Sequence, residues 1–247
     1  KKEFQAESES ENPLVGCAGR TKVLVMLGDC LTKSPNYFEQ GGIFRPGFLV
    51  DYLLENADED KKISVCVLWR ALMYGFESMW PTGPGRTVLN GSNMGDVWKH
   101  SGLEGSECSE FVPFHKLSQW MTYSLLEPLK AAGVVLSDTK LLTGLPEYRN
   151  GGLFVDYGVL VPKCPLIVAR EYFPCDEVIV EWRALTVVLL DKVYKIILRK
   201  IGRDEEEFPM VKVLEGGTWK AGRVMAKRRD PLKSSPPIKI VSDGTVF

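Results

Sequence analysis

The sequence predicts a mainly α fold: a helical globular domain with a few short strands near its C-terminal part. Three observations predict it. Residues 113–132 put Leu117, Met121, Ser124, Leu125 and Leu129 on one stripe and then stop at Gly133, the spacing of an amphipathic helix with its glycine end. Residues 176–201 are apolar around most of the circumference and close at Gly202, the pattern of a long buried helix. No internal repeat and no strand–helix alternation is present, which argues against a parallel-sheet architecture.

In chain order, residues 1–11 are acidic and serine-rich and read as a disordered segment. Residues 12–247 read as a single domain. Asn12-Pro13 gives an N-cap followed by proline at the first helical position, with Leu14, Cys17, Leu24, Leu27 and Leu31 on the following helix. Arg45-Pro46-Gly47 opens a second helix carrying Phe48, Leu49, Tyr52 and Leu53. Beyond the charged connector 58–62, Ile63, Val67, Ala71 and Tyr74 mark a third, ending near Trp80-Pro81. Residues 82–110 are rich in glycine and read as a long irregular loop containing Asn93, Asp96, Trp98 and His100; loops of that length are often functional. Pro128 should kink or end its helix locally. Short strands are expected at 153–161 and 238–241, and Ser242-Asp243-Gly244-Thr245 is turn chemistry.

The chain has 247 residues, 45% of them hydrophobic, and a net charge of -1 with acids and bases intermixed. A core can form, and there is no basic stripe of the kind nucleic acid requires. Lys227-Arg228-Arg229 reads as a solvated helix end, where cations suit the dipole. No apolar run approaches the ~20 residues of a membrane helix. The N-terminus has no signal-peptide pattern and no initiating Met, so the chain reads as processed or trimmed, and as cytoplasmic. The six cysteines, Cys17, Cys30, Cys66, Cys108, Cys164 and Cys175, form no CxxC pair and read as reduced, buried thiols. With His100 and His115 as the two histidines, no zinc site and no cofactor is expected.

Four constellations carry candidate chemistry. In residues 143–160, Glu147, Tyr148, Arg149, Asn150, Asp156 and Tyr157 sit on a glycine-rich frame. That makes a poor helix and a poor strand. It is either a ligand-facing loop, with a carboxylate to activate water and an arginine to hold an anion, or a capped turn with a surface Glu–Arg pair. Glu181, Trp182 and Arg183 open the long helix. Residues two apart face different sides, so each charge needs its own partner. The pair is either functional or a structural ion pair, with Arg149 or Glu147 as counter-charge. His115, Gln119 and Tyr123 share a helix face, lining a pocket or forming the wet side of an ordinary helix. Residues 214–223, with Gly216-Gly217-Thr218, read as a helix break or an anion cradle. The Walker spacing is absent, as is any signature of a serine or cysteine nucleophile.

Taken together, several segments carry a resemblance. They are Phe114-His115-Lys116-Leu117-Ser118-Gln119-Trp120, Thr143-Gly144-Leu145-Pro146-Glu147-Tyr148-Arg149-Asn150-Gly151-Gly152, Glu181-Trp182-Arg183-Ala184, Leu214-Glu215-Gly216-Gly217-Thr218-Trp219 and Val241-Ser242-Asp243-Gly244-Thr245-Val246-Phe247. Over residues 12–247 the chain resembles the uracil catabolism protein 4 family. That resemblance implies a place in pyrimidine degradation, where uracil enters as a nucleotide, the ring opens and ribosylurea-type intermediates appear. Family members usually carry a further N-terminal stretch, so the chain reads as a fragment, its fold to be completed by that segment or by a partner chain.

Glu147-Tyr148-Arg149, Gly158-Val159-Leu160 and Glu181-x-Arg183-Ala184 are also similar to queuosine-salvage nucleotide N-glycosidases. Those have a largely helical, DNA-glycosylase-like fold and an acidic residue where Glu147 falls. The implied function is hydrolysis of the N-glycosidic bond of a ribosylurea, its phosphate or a related nucleotide intermediate. A carboxylate near the anomeric carbon would stabilise oxocarbenium character and direct water. Glu147 is the first choice, with Asp156 or Glu181 second. Arg149 or Arg183 would hold phosphate or ribose. Tyr148, Tyr157 or Trp182 would pack on the base or urea, and Asn150, His115 and Gln119 complete the substrate contacts. The partner is thus a small nucleoside or nucleotide derivative, with no nucleic acid, membrane or metal. Two alternatives stand beside this: a non-catalytic ligand-binding or scaffolding subunit, and an amidohydrolase acting on the ureido group.

Overall fold

The computed structural model describes residues 17–241 apart from Pro84, Glu104 and residues 106–108. The expected disordered segment, the Asn12-Pro13 cap and the turn at 242–245 lie outside the described residues.

The fold is mainly α. The first helices are α1 (Cys17–Lys33), α2 (Pro35–Phe38), α3 (Phe48–Glu55) and α4 (Val65–Gly75). The two-residue strands β1 (Glu39–Gln40) and β2 (Ile43–Phe44) pair between α2 and α3. Before α4 comes β3 (Lys62–Ser64), whose Ser64 side chain accepts from Cys66 N as the helix cap. The stretch 82–110, expected to be irregular, contains a small hairpin of β4 (Val88–Leu89) and β5 (Ser92–Asn93). It also holds β6 (Val97–Lys99), which pairs with β7 (Phe111–Pro113). The central helix α5 (Lys116–Ala131) follows, with Pro128 inside it and not ending it. Then β8 (Val135–Ser137) runs parallel to β3.

Residues 148–156 form helix α6 (Tyr148–Asp156), where a loop and then a strand were expected. Close packing is the reason for its glycines, rather than turn geometry. A Cβ on Gly151 would lie 2.6 Å from Thr186 Oγ1 and 2.9 Å from the Trp182 ring. After β9 (Glu171–Tyr172) comes α7 (Glu177–Ile201), closed by Gly202 at φ 64°, with Arg199 and Lys200 in its last turn. Only one side of α7 is buried: Leu185 and Val188 are exposed. The expected helix break at 214–223 is instead a π-helical segment, Leu214–Trp219, joining α8 (Met210–Val213) to α9 (Lys220–Arg229). A final strand β10 (Lys239–Ile240) lies parallel to β9. Lys227, Arg228 and Arg229 form the last turn of α9. Of the described cysteines Cys30 is buried, whereas Cys66 and Cys164 are exposed, against the expectation of buried thiols throughout.

Two apolar clusters flank α5. Phe38, Leu53, Leu68, Leu72 and Phe76 from the N-terminal helices pack with Leu129 and Val134, and Met121 and Leu125 rest on them. Phe154, Leu190, Tyr194, Met210 and Leu214 form the second, with Tyr123 against it. Each such buried side chain contributes roughly 1.5–3 kcal/mol. Helix α5 is therefore covered on both sides, and it buries Lys116, Ser118, Gln119 and Thr122 between them. The sequence leaves this polar strip as either a pocket lining or the wet side of an ordinary helix. In the fold much of that polar side faces inward, and Leu117 and Trp120 are among the residues left exposed.

Candidate functional site

Asp96 sits just before β6 and organises the start of α5. Its carbonyl accepts from Phe114 N and His115 N, and its Oδ2 accepts from Lys116 N at 2.9 Å. This is an N-cap supplied from twenty residues away. The carboxylate also accepts from Trp98 Nε1 at 2.6 Å and from both terminal nitrogens of Arg183, at 2.7 and 2.8 Å. Arg183 comes from α7, is 1% exposed, and lies 4.1 Å from the centre of the Phe114 ring. Burial pushes the Asp96 carboxyl up, but the Arg183 charge and the hydrogen bonds more than offset it and hold the group below its ordinary value.

Glu147 is the N-cap of α6, its Oε2 accepting from Arg149 N at 2.7 Å. The side chain is almost wholly buried. Burial raises its pKa. The Lys116 charge and the backbone N–H groups of Arg149 and Asn150 pull it back only in part, so it stays above the ordinary value. Lys116, in the first turn of α5, is 4% exposed. Burial pushes its ammonium down to about 8, with Glu147 opposing the shift and Arg183 adding to it. Burial also lowers His115, whose left-handed backbone turns the chain into α5.

Among the described residues Glu147, Lys116, Asp96 and Arg183 line no cavity of ligand size; a cavity of about 540 Å³, a volume suited to a small ligand, is reached from this polar cluster through Asn150. Trp120 and Tyr123 of α5, Leu145, Asn150, and Glu215 and Trp219 of the π-helical segment line it. π-helical turns are frequently found at functional sites. Trp120 and Trp219 stand nearly perpendicular with ring centres 6.4 Å apart. Asn150 belongs both to the cavity wall and to the α6 N-terminus that holds Glu147. Among the described residues no cluster of His, Cys, Asp and Glu could hold a metal ion.

Of the residues singled out in the sequence, Glu147, Asn150, His115, Gln119 and Arg183 come to this region. Gln119 is tied in through Nε2 to Thr143 Oγ1 at 3.1 Å. Others go elsewhere. Asp156 is at the opposite end of α6, about 13 Å along the axis, paired with Arg229 at 2.7 Å. Glu181 is exposed on α7, and Tyr157 is 64% exposed. Arg149 turns away to the Ser234 carbonyl at 2.6 Å and stacks on Tyr148. Tyr148 and Trp182 belong to an apolar cluster with Ile179 and Ile238, not to the cavity. The counter-charge of Arg183 is Asp96, rather than an acid near Arg149. Sequence reasoning passed over Lys116, Trp120 and Trp219 as site residues. The inward polar face of α5 was the available signal for Lys116, and the Gly216-Gly217 pair for Trp219.

Among the described residues no helix is long and apolar enough to cross a membrane. The chain is 42% identical over 239 residues to "Protein urg3" of Schizosaccharomyces pombe, a match covering 96% of the chain and 55% of that protein. It is 41% identical over 261 residues to "Uracil catabolism protein 4" of Lachancea kluyveri, covering 96% of the chain and 58% of that protein. The chain thus spans little more than half the length of these curated relatives. No solved structure matches it. The family model described as "Protein of unknown function (DUF1688)" matches residues 1–247, and the chain belongs to that family.

Proposed function

We propose that the chain acts in uracil or pyrimidine catabolism by hydrolysing the N-glycosidic bond of a ribosylurea, its phosphate or a related nucleotide intermediate. The pathway is supported by similarity to "Uracil catabolism protein 4" of Lachancea kluyveri at 41% identity. The chemistry rests on one observation above all: a buried carboxyl, Glu147, and a buried amine, Lys116, have their pKa values moved toward each other, and Asn150, whose backbone N–H bonds Glu147, lines a ligand-sized cavity. Paired groups of this kind divide into acid and base.

In the proposed reaction the Glu147 carboxylate takes a proton from water as the water oxygen bonds to the anomeric carbon. The carbon–nitrogen bond breaks, its electron pair goes to the ureido nitrogen, and the Lys116 ammonium supplies the proton that nitrogen gains. Free sugar and urea leave. A proton donor with a pKa near the working pH is the efficient choice, and about 8 meets that condition. Trp120 and Trp219 supply flat apolar walls for the ligand.

The test is release of urea from ribosylurea 5′-phosphate by the purified chain and by its Glu147→Gln variant. Loss of a positioned acid–base group is expected to cost about 10²–10⁴ in rate with the fold kept. Wild-type turnover by the variant would remove Glu147 from the mechanism. Saturable binding with no product from the unaltered chain would favour a non-catalytic binding subunit. Ammonia and carbon dioxide in place of urea would favour an amidohydrolase.

A further inference from the structure

Helix α7 carries large aliphatic side chains on the side that faces solvent. Ile179, Val180, Leu190, Tyr194 and Leu198 turn into the protein and are buried. Leu185, Val188 and Ile196 stay 39%, 51% and 42% exposed. A helix turns by ~100° per residue, so the positions three and eleven beyond Leu185 share its face. The three side chains therefore form one strip, on the opposite side of α7 from Leu190 and Tyr194, running about 16 Å along the axis. Lys192 falls within the strip and Arg199 at its C-terminal end, and both are exposed.

The sequence of α7 is apolar around most of its circumference. Such a helix is ordinarily buried on every side, as in the core of a larger protein. Among the described residues only one side of it is covered. An exposed apolar strip of this kind marks a contact surface. The chain covers 55% and 58% of the two curated relatives, so more than two fifths of each relative lies outside the matched part. That is ample polypeptide to bury a strip three helical turns long.

We infer that the outward strip of α7, Leu185, Val188 and Ile196, is the seat of the part of the family protein that lies outside these 247 residues. The occupying segment is apolar where it meets the three aliphatic side chains and carries carboxylates opposite Lys192 and Arg199. Seated there, it makes α7 the buried central helix that its composition describes. The inference stands apart from the ribosylurea reading, because it concerns the outer side of α7 and its test measures no turnover.

The experiment follows N-ethylmaleimide labelling of a cysteine placed on the strip, read by mass spectrometry of that peptide. Val188→Cys is made in the 247-residue chain, and a cysteine is placed at the aligned position of full-length "Uracil catabolism protein 4" of Lachancea kluyveri. Labelling is expected to be at least tenfold slower in the full-length protein. Equal rates would overturn the inference. Each protein is labelled over a dilution series. Protection that disappears on dilution would assign the strip to a second copy of the same protein and would also overturn it. A second measurement uses Leu185→Glu with Ile196→Glu. In the 247-residue chain these exposed changes should leave the thermal midpoint nearly unchanged. At the aligned positions of the full-length protein they should lower it clearly, and no change there would count against the inference. The labelling comparison decides even where the double variant fails to fold.

Discussion

Arg183 and Asp96 meet as a two-pronged ion pair, Nη1 to Oδ1 at 2.7 Å and Nη2 to Oδ2 at 2.8 Å, joining α7 to the residue that caps α5. The arginine is fully enclosed and the acid nearly so. Removing one partner strands the other charge in the interior, which costs about 3–5 kcal/mol. Asp96→Ala and Arg183→Met are each expected to lose that much in urea unfolding. The double variant should lose clearly less than their sum, because the second change removes the charge stranded by the first. Strict additivity would show that the two side chains act independently.

The acid–base pair makes a prediction about pH. Glu147 must be ionised to accept a proton from water, and its pKa is raised by burial, so the acid limb of kcat/KM should lie above the ordinary value of 4.5. Lys116 must be protonated to serve the leaving group, so activity should fall as pH passes about 8. Lys116→Met is expected to lower the maximum rate and erase the alkaline limb. A full pH–rate profile checks both points, and an unchanged alkaline limb in that variant would assign it to another group. Stability follows a different curve. The folded pKa of Lys116 lies below the ordinary lysine value of 10.5. Between about 8 and that value the unfolded chain therefore holds more protons, and stability should rise with pH. Lys116→Met should flatten that rise.

The helices were legible where periodicity and caps coincide. Gly202 and the apolar stretch before it marked the end of α7, and Arg45-Pro46-Gly47 marked the start of α3. What stayed hidden depended on neighbours distant in sequence. Nothing local to Asp96 announces that it caps a helix twenty residues later and neutralises Arg183, 87 residues away. The polar face of α5 is an ordinary wet face until a second core closes over it. The glycines of α6 argued against a helix because glycine propensity is poor, and the contact that requires them is tertiary. Of the candidate site, Glu147 and Asn150 were visible as polar residues on an unusual frame. Trp219 was not, because a π-helical turn has no recognised residue pattern.

That tertiary contact can be tested at two glycines. A Cβ on Gly222 of α9 would overlap the Arg149 carbonyl of α6, and one on Gly151 would press on Thr186 and Trp182 of α7. Backbone atoms cannot step aside as a flexible side chain can. Overpacking of this kind costs typically 1–3 kcal/mol. Gly222→Ala and Gly151→Ala are therefore expected to lower the midpoint of thermal unfolding. Gly216→Ala, where a Cβ meets nothing within 4 Å, should leave it nearly unchanged. Equal midpoints for all three variants would mean that α6 is not held by close approach.

Asp156 separates a structural carboxylate from a catalytic one on the same helix. It lies nine residues beyond Glu147, about 13 Å along the axis, and its Oδ1 accepts from Arg229 Nε at 2.7 Å. That pair ties the end of α6 to the end of α9, and the arginine is partly open to solvent. Asp156→Asn should therefore lower stability through the weakened pair while leaving kcat/KM for ribosylurea 5′-phosphate within about threefold of wild type. Glu147→Gln should show the opposite pattern, a rate loss of about 10²–10⁴ with little change in unfolding. The two variants are measured side by side, for turnover and for thermal midpoint. If Asp156→Asn loses rate a hundredfold at an unchanged midpoint, the catalytic carboxylate lies at the other end of α6 and the cavity beside Asn150 is not where the bond is broken.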